Sequence, residues 1–153
     1  MRSPLEPPPS ILREAVAHLC AAYPEEGCGV LVRRGETWRF VPMRNAVDRF
    51  HRADPESFPR DARTAYLFDP AEQRRVWSWA KREGWTIAAI VHSHCDAGPE
   101  LSDMDRDMAM ASPDEPLHPG VAHLVIAVRD GRPAGAMMHA WHAGRWWSRD
   151  IRT

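Results

Sequence analysis

The stretch of sequence that decides the fold is residues 87–94, which read IAAIVHSH. Five apolar residues followed by two histidines predict a strand over residues 86–93 that is buried along most of its length and reaches solvent at its end. Side chains two apart on a strand project from the same face, so His92 and His94 present both imidazoles on one side while Ser93 points to the other. The stretch therefore predicts a buried strand that ends in two aligned metal-binding side chains.

A candidate third ligand, a carboxylate, follows in the sequence. Ser102 comes after seven intervening residues, and Asp105 stands three positions beyond it. This spacing is typical of a helix N-terminus, and it would bring a carboxylate back toward the histidines. Two imidazoles and one carboxylate leave one position of a tetrahedral zinc ion free for water, which is the arrangement of catalytic zinc. We therefore predict a zinc hydrolase, although a His-x-His pair and a capping serine also occur without any chemistry.

The whole pattern resembles the signature of the JAMM/MPN+ (JAB domain) zinc metallopeptidases. The matching residues are His92-Ser93-His94, Ser102 and Asp105, and the segment Glu26-Gly27-Cys28-Gly29-Val30-Leu31 is similar to the Glu-x-x-Gly-x-Leu element of that family. The resemblance runs roughly from Ile11 to Trp147 and is greatest to the small bacterial stand-alone members. One departure is Cys95, which stands where the family usually has proline.

The resemblance implies a mechanism and a class of substrate. Zn²⁺ would be held by His92, His94 and Asp105, Glu26 would act as the general base, and Ser102 would bind the oxyanion. Glu25 is a rival base by sequence, but only Glu26 stands three positions before a glycine of the element. The expected reaction is peptide or isopeptide hydrolysis after the C-terminal diglycine of a ubiquitin-like or sulfur-carrier protein, which is the expected partner.

Two alternatives stay open at this point. One is a non-catalytic binding scaffold of the MPN type, which loss of a site residue would favour. The other is a redox-gated site in which the thiolate of Cys95 takes the open position of zinc, because soft thiolates suit that metal. A homodimer also remains open.

Composition limits the expected partners and compartment. The formal net charge is −1 at pH 7, which gives no general reason to expect nucleic acid or an anionic membrane as partner. The three cysteines, Cys20, Cys28 and Cys95, are irregularly spaced and odd in number, which argues against a disulfide framework. Since the sequence also lacks an apolar signal core, we expect a cytoplasmic protein.

Local patterns complete the predicted architecture, an α/β domain with one mixed β-sheet and flanking helices. A doubly wound nucleotide-binding fold is disfavoured because no glycine-rich phosphate loop is present. Together with the resemblance, the pattern indicates the MPN (cytidine-deaminase-like) fold in a single domain over residues 10–150, after a disordered proline-rich leader at 1–9. The expected elements are a helix over 11–22 capped by Ser10, a hairpin over 29–41, a long loop over 42–69, a helix over 70–83 capped by Asp69, the strand over 86–93, a helix from Ser102 that buries Met104, Met108 and Ala111, and strands over 121–128, 134–142 and 145–147.

Overall fold

A computed structural model of the chain describes residues 6–153. In this range a six-stranded mixed sheet carries helices on both faces, and a two-stranded hairpin stands beside it. None of the helices in the described range is long and apolar enough to cross a membrane. The elements, in chain order, are α1 (Pro9–Ala22), β1 (Cys28–Arg34), β2 (Thr37–Met43), α2 (Val47–Ala53), α3 (Pro70–Glu83), β3 (Thr86–Cys95), α4 (Asp103–Ala109), β4 (Met110–Ser112), β5 (Glu115–Pro116), β6 (Ala122–Arg129), β7 (Arg132–His142) and β8 (Arg145–Asp150).

The predicted strand with the two histidines lies in the middle of the sheet. The strand order is β2-β1-β3-β6-β7-β8, and β3 pairs antiparallel with β1 and parallel with β6. Strand β3 is buried without interruption from Ala88 to His94, as expected for a strand covered on both faces. It runs two residues beyond the predicted end at residue 93. The mixed α/β sheet is thereby confirmed.

The alternation of side chains along β1 and β3 divides the core between the two faces of the sheet. On one face, α1 packs against Leu31, Ala89 and Val91. On the other, α3 packs against Val30 and Ile90, and this is also the face of His92 and His94, since residues of even number share it. The histidines therefore lie on the face opposite to α1.

Helix α3 has the ends that its sequence predicts. The Asp69 side chain accepts hydrogen bonds from the backbone N–H groups of Ala71 and Glu72, and Pro70 occupies the first helical position. Gly84 ends the helix in the left-handed conformation with φ 73°, which costs glycine little because it has no Cβ. The predicted helix over 70–83 is confirmed at both boundaries.

The start of α1 differs from the prediction. The helix begins at Pro9, its N-cap is Pro8, and no side chain caps it, so the prediction that Ser10 is the cap was wrong. Proline fits the first helical turn because it has no N–H to leave unsatisfied there. Of the leader predicted for residues 1–9, the first five lie outside the described residues. In the described part Pro7 is buried, and Glu6 lies 3.3 Å from the guanidinium of Arg149.

Helix α4 is shorter than its apolar spacing predicts. It ends at Ala109, after which Met110 adopts an extended conformation and begins the β4–β5 hairpin. The predicted burial of Met108 and Ala111 was therefore wrong: Met108 is 44% exposed, and Ala111 is an exposed residue of β4. Met104 does pack inward, against the small cluster of Val47, Ala62 and Ala65.

The segment between β2 and α3 is ordered by one asparagine. Besides α2, it contains a bridge that pairs Asn45 with Phe68. The Asn45 amide donates to the carbonyls of Glu26 and Ala65 at 2.9 and 3.0 Å, and its oxygen accepts from the N–H groups of Val47 and Leu67 at 3.1 and 3.2 Å. One side chain thus holds both ends of the segment against the entry to β1.

Candidate metal centre

The register between β1 and β3 brings the first acid to the histidines. Cys28 is paired with His92, and β1 starts there, so His94 extends past the first strand and Glu26 lies just before it. Continuing the antiparallel register places Glu26 opposite His94, and residues opposite one another share a face of the sheet. The backbone joins the two segments at this point, because Ser93 N–H donates to the Gly27 carbonyl at 3.0 Å.

The other acid comes from α4 and contacts both imidazoles. Asp105 Oδ2 lies 3.0 Å from His94 Nε2 and 3.3 Å from His92 Nε2, and the two Nε2 atoms are 3.2 Å apart. Burial acts to raise the pKa of Asp105, but the hydrogen bonds from His92 and His94 outweigh it and hold that pKa well below its ordinary value. The carboxylate is therefore anionic where it meets the imidazoles.

These three atoms have the mutual spacing of ligands around one ion. Zinc bonds of 2.0–2.2 Å at tetrahedral angles place ligand atoms roughly 3.3 Å apart. The observed separations are 3.0, 3.2 and 3.3 Å. Two imidazole nitrogens and one carboxylate oxygen are also the donor types that zinc takes in proteins. The donor set His92, His94 and Asp105 therefore fits a zinc ion.

Glu26 stands slightly farther from the two imidazole rings. One of its carboxylate oxygens lies within 4.8 Å of a ring nitrogen of His92 and of His94, so Glu26, His92 and His94 also form a group that can hold a metal. Among residues 6–153, Asp105 Oδ2 lies within 3.0–3.3 Å of both Nε2 atoms, whereas Glu26 makes no contact this short with either histidine. The shorter contacts favour Asp105 as the ligand, and the greater separation leaves Glu26 room to meet a water molecule.

The environment of Glu26 strongly affects its protonation. Its side chain is 5% exposed, and burial raises its pKa to about 8, against the opposing influence of His94 and Arg60. Its backbone is fixed, since Glu26 N–H donates to the Ala62 carbonyl at 2.7 Å. Glu25, the rival base, is exposed. The structure thus brings Glu26, and not its neighbour, into the site.

The ring of His94 is oriented by the loop that follows β3. Its Nδ1 lies 2.8 Å from the Gly98 carbonyl, and since a carbonyl can only accept, Nδ1 keeps its proton. Nε2, which donates to Asp105 in the metal-free site, is then the nitrogen that would bind a metal after losing its proton. The same loop is held in turn by His139, whose Nε2 lies 2.9 Å from the Pro99 carbonyl. His94 is therefore preset as an Nε2 ligand.

The ring of His92 is held by stacking. Tyr66 lies against it with ring centroids 4.3 Å apart and an interplanar angle of 23°. Burial lowers the pKa of His92 more than Asp105 raises it, which favours the neutral, metal-binding form. Tyr66 belongs to the segment predicted as a long loop over 42–69, and no signal in the chain points to this contact.

Ser102 forms the N-cap that was predicted. Its Oγ accepts a hydrogen bond from Asp105 N–H at 3.0 Å, and Asp105 Oδ2 accepts from Ser102 N–H at 2.9 Å, which is a reciprocal capping box. The cap uses Oγ as an acceptor, so the hydroxyl hydrogen remains available to donate. The short α4 thus holds Asp105 against the histidines through Ser102.

Cys95 lies at the site but outside the ligand cluster. Strand alternation sends its side chain to the face opposite that of His94. Burial raises the pKa of its thiol to about 11, so the thiol is protonated at neutral pH. The redox-gated alternative, which needs a thiolate, remains a prediction and is not favoured by this environment.

A cavity of about 210 Å³ opens over the ligand cluster. Glu26 and Asp105 lie in its wall, and Arg60 and Arg63 from the segment between α2 and α3 lie at its rim. The sequence predicted five residues of the site, and the structure brings all five together. The sequence did not predict that Arg60 and Arg63 lie at the site, because they belong to a segment without periodicity.

Comparisons with known proteins agree with this geometry. Residues 8–144 match the family described as prokaryotic homologs of the JAB domain. A "Probable TtuB-protein conjugate cleaving protease" of Thermus thermophilus is 35% identical over 94 residues, and the "Tail tip assembly protein K" of Escherichia phage N15 is 32% identical over 96 residues. These matches span 61% and 60% of the chain but only 55% and 30% of the two relatives.

Solved structures show the same fold. The solution structure of a protein from Desulfitobacterium hafniense superimposes with a TM-score of 0.64 at 22% identity, covering 94% of this chain and 88% of that one. A protein from Salinibacter ruber gives a TM-score of 0.58 at 25% identity, covering 95% and 89%. The architecture is therefore shared along nearly the whole chain.

Proposed function

The chain belongs to the prokaryotic homologs of the JAB domain, and from that premise we propose that it is a zinc-dependent peptidase of ubiquitin-like or sulfur-carrier conjugates. The family match covers residues 8–144 and includes every residue of the predicted site. It agrees with the resemblance to the JAMM/MPN+ metallopeptidases. The single observation that carries the proposal is the convergence of His92, His94 and Asp105 within 3.0–3.3 Å, with Glu26 beside them.

His92, His94 and Asp105 would hold the ion through Nε2, Nε2 and Oδ2. When bound, zinc lowers the pKa of a water molecule toward about 7 and polarises the carbonyl to be attacked. Three protein ligands leave a position open, as catalytic sites require, whereas structural zinc sites are closed by four.

Glu26 would move the proton. Its carboxylate stands close to both imidazoles without pairing with either, where it accepts a proton from the attacking water and delivers it to the departing amine. Burial raises its pKa to about 8, and a bound cation would counter this by favouring the carboxylate. A positioned acid or base of this kind contributes typically 10²–10⁴-fold to a rate.

Ser102 would stabilise the developing negative charge. Its hydroxyl hydrogen is not used by the helix cap, so it can donate to the oxygen that gains charge as water attacks the carbonyl. Removal of one such donor costs about 10²–10³-fold in kcat in other enzymes.

The name of one relative supports the proposed substrate class. The Thermus thermophilus relative is named as a protease that cleaves TtuB-protein conjugates. A C-terminal diglycine can approach a partly buried ligand cluster without a side-chain clash, because glycine has no side chain. We propose that hydrolysis follows this diglycine.

Metal analysis and a cleavage assay test the proposal together. The substrate is a recombinant ubiquitin-fold sulfur carrier that is extended beyond its C-terminal diglycine. We expect one zinc per chain and hydrolysis in the parent, one zinc and at least 100-fold slower hydrolysis in Glu26→Gln, and loss of zinc in His92→Ala. Glu25→Gln is the matched control, since Glu25 is adjacent in sequence but exposed, and it should cleave as the parent does.

Two results would overturn this assignment. Undiminished hydrolysis by Glu26→Gln would remove Glu26 from the mechanism. Stoichiometric zinc in a parent protein that cleaves no diglycine-extended carrier would favour the non-catalytic scaffold.

A further inference from the structure

Arg60 lies at the rim of the cavity over the ligand cluster and has no ion-pair partner among the described residues. It lines the cavity that contains Glu26 and Asp105, it is exposed, and within residues 6–153 it forms no salt bridge. Its positive charge acts on Glu26, where it opposes the effect of burial on the pKa of that carboxyl. An unpaired guanidinium at this place is available to a substrate.

Arg60 also borders a second hollow of about 240 Å³, next to the first. The hollow is lined mainly by apolar side chains, among them Phe58, Leu67 and Met104, and by Tyr66, whose ring stacks on His92. Its volume is below the roughly 300 Å³ at which pockets for drug-sized ligands begin, which suits one side chain rather than a long segment. The hollow and the ligand cluster are therefore adjacent, with Arg60 between them.

The chemistry of the leaving group connects these features. Hydrolysis after a diglycine releases an amine, which is the α-amine of a single C-terminal residue, the α-amine of a longer extension or the ε-amine of a lysine. Only a terminal residue carries a carboxylate a few bonds from that amine, so this anionic group distinguishes it from an internal lysine. A guanidinium binds a carboxylate through two parallel hydrogen bonds, so Arg60 can recognise this group.

We propose, resting on the function proposed above, that Arg60 makes this site selective for a single C-terminal residue with a free carboxylate and an apolar side chain. Arg60 binds the α-carboxylate, and the side chain enters the hollow beside Tyr66. In the reaction one water is consumed and the glycyl C–N bond breaks. The hydroxyl joins the acyl carbon to give the diglycine carboxylate, and the proton passes through Glu26 to the nitrogen, which leaves as a free amino acid. Arg60 is thus a specificity-determining residue.

The test compares two forms of one substrate. A ubiquitin-fold carrier ending in Gly-Gly-Leu is prepared with a free C-terminal carboxylate and as the C-terminal amide. We expect the zinc-loaded parent to cleave the carboxylate form with a kcat/KM at least 10-fold higher than the amide. Arg60→Gln should lose this preference by slowing only the carboxylate form, and Arg60→Lys should restore part of it. Arg13→Gln replaces an exposed arginine of α1, on the opposite face of the sheet, and should behave as the parent.

A second arm tests the hollow. Phe58→Ala should raise KM for the leucine-extended carrier while leaving that for a glycine-extended carrier unchanged. If the parent cleaves the carboxylate and amide forms equally, or if Arg60→Gln slows both to the same extent, the inference about Arg60 is wrong while the peptidase assignment stands. If the parent cleaves neither form, the proposed function itself fails and this inference with it.

Discussion

Replacing Glu26 by glutamine should change how the stability of the metal-free protein depends on pH. The Glu26 carboxyl is buried, and burial raises its pKa to about 8 in the folded state from its ordinary value of 4.5. A group whose pKa is higher in the folded state stabilises that state fully below its unfolded pKa, and this contribution is lost as the pH rises through the folded pKa. The parent should therefore lose stability between pH 4.5 and about pH 8.

The size of the loss follows from the two pKa values. Each pKa unit is worth 1.36 kcal/mol when the pH range covers the whole titration. The range from pH 5 to pH 8 covers only part of the titration between 4.5 and about 8, and over this range the parent should lose about 3.5 kcal/mol of unfolding free energy. Glutamine has no proton to lose, and Glu26→Gln should therefore gain about this much relative to the parent over the same range. Any constant effect of the substitution cancels in the comparison.

Urea unfolding of both proteins at pH 5, 6, 7 and 8, with a chelator present to remove metal, measures this difference. Glu25→Gln is the matched control, and its pH profile should follow that of the parent because Glu25 is exposed. Parallel profiles for the parent and Glu26→Gln would refute the reasoning, since they would mean that burial does not keep Glu26 protonated.

Three further outcomes follow from single contacts. Gly29→Ala should lower the free energy of unfolding, measured in urea, by about 1–3 kcal/mol, because the added Cβ would lie 2.6 Å from the Val41 carbonyl oxygen. An unchanged midpoint of the urea transition would contradict this. Tyr66→Ala should weaken zinc binding at least 10-fold, measured by competition with a chromophoric chelator, whereas Tyr66→Phe keeps the stack on His92 and should bind zinc as the parent does. Equal zinc affinities for the two variants would show that stacking does not hold His92 in place. Burial lowers the pKa of His123 to about 4, so the parent should lose about 3 kcal/mol of unfolding free energy from pH 7 to pH 4. His123→Gln should lose less over the same range. If urea unfolding shows the same loss for both proteins, this reasoning is wrong.

Sequence patterns predicted most reliably those elements whose ends carry their own signals. Helix α3 has Asp69 and Pro70 at its start and Gly84 at its end, and each acts through its own backbone neighbours. The histidine strand was equally clear, because a run of apolar residues has to be buried. Such features depend on nearby residues, and the sequence contains all of them.

Elements whose boundaries depend on packing were predicted less well. The apolar spacing after Ser102 continues as if the helix reached Ala111, but the β4–β5 hairpin takes over at Met110. Serine at position 10 looked like a cap, while Pro9 already occupies the first helical position. In both cases a local pattern was compatible with two conformations, and contacts elsewhere decided between them.

The parts of the site that surround the ligands could not be predicted. Tyr66 reaches His92, and the Gly98 carbonyl reaches His94, only because the segments that carry them close over the sheet. Arg60 comes to the rim in the same way. None of these residues belongs to a periodic pattern, so their positions follow from tertiary structure alone.

The serine between the two histidines makes the site a single cooperative unit. Ser93 Oγ accepts from Gly27 N–H at 2.8 Å, and Ser93 N–H donates to the Gly27 carbonyl at 3.0 Å, so the residue that follows Glu26 is joined twice to the strand that carries both imidazoles. A local opening that releases Glu26 must therefore break bonds to the central strand. The Gly27 amide should consequently exchange with solvent deuterium as slowly as the amides of the central strand. Any population that has lost the base would then also have a disturbed metal site, and partially assembled, half-active molecules would be rare.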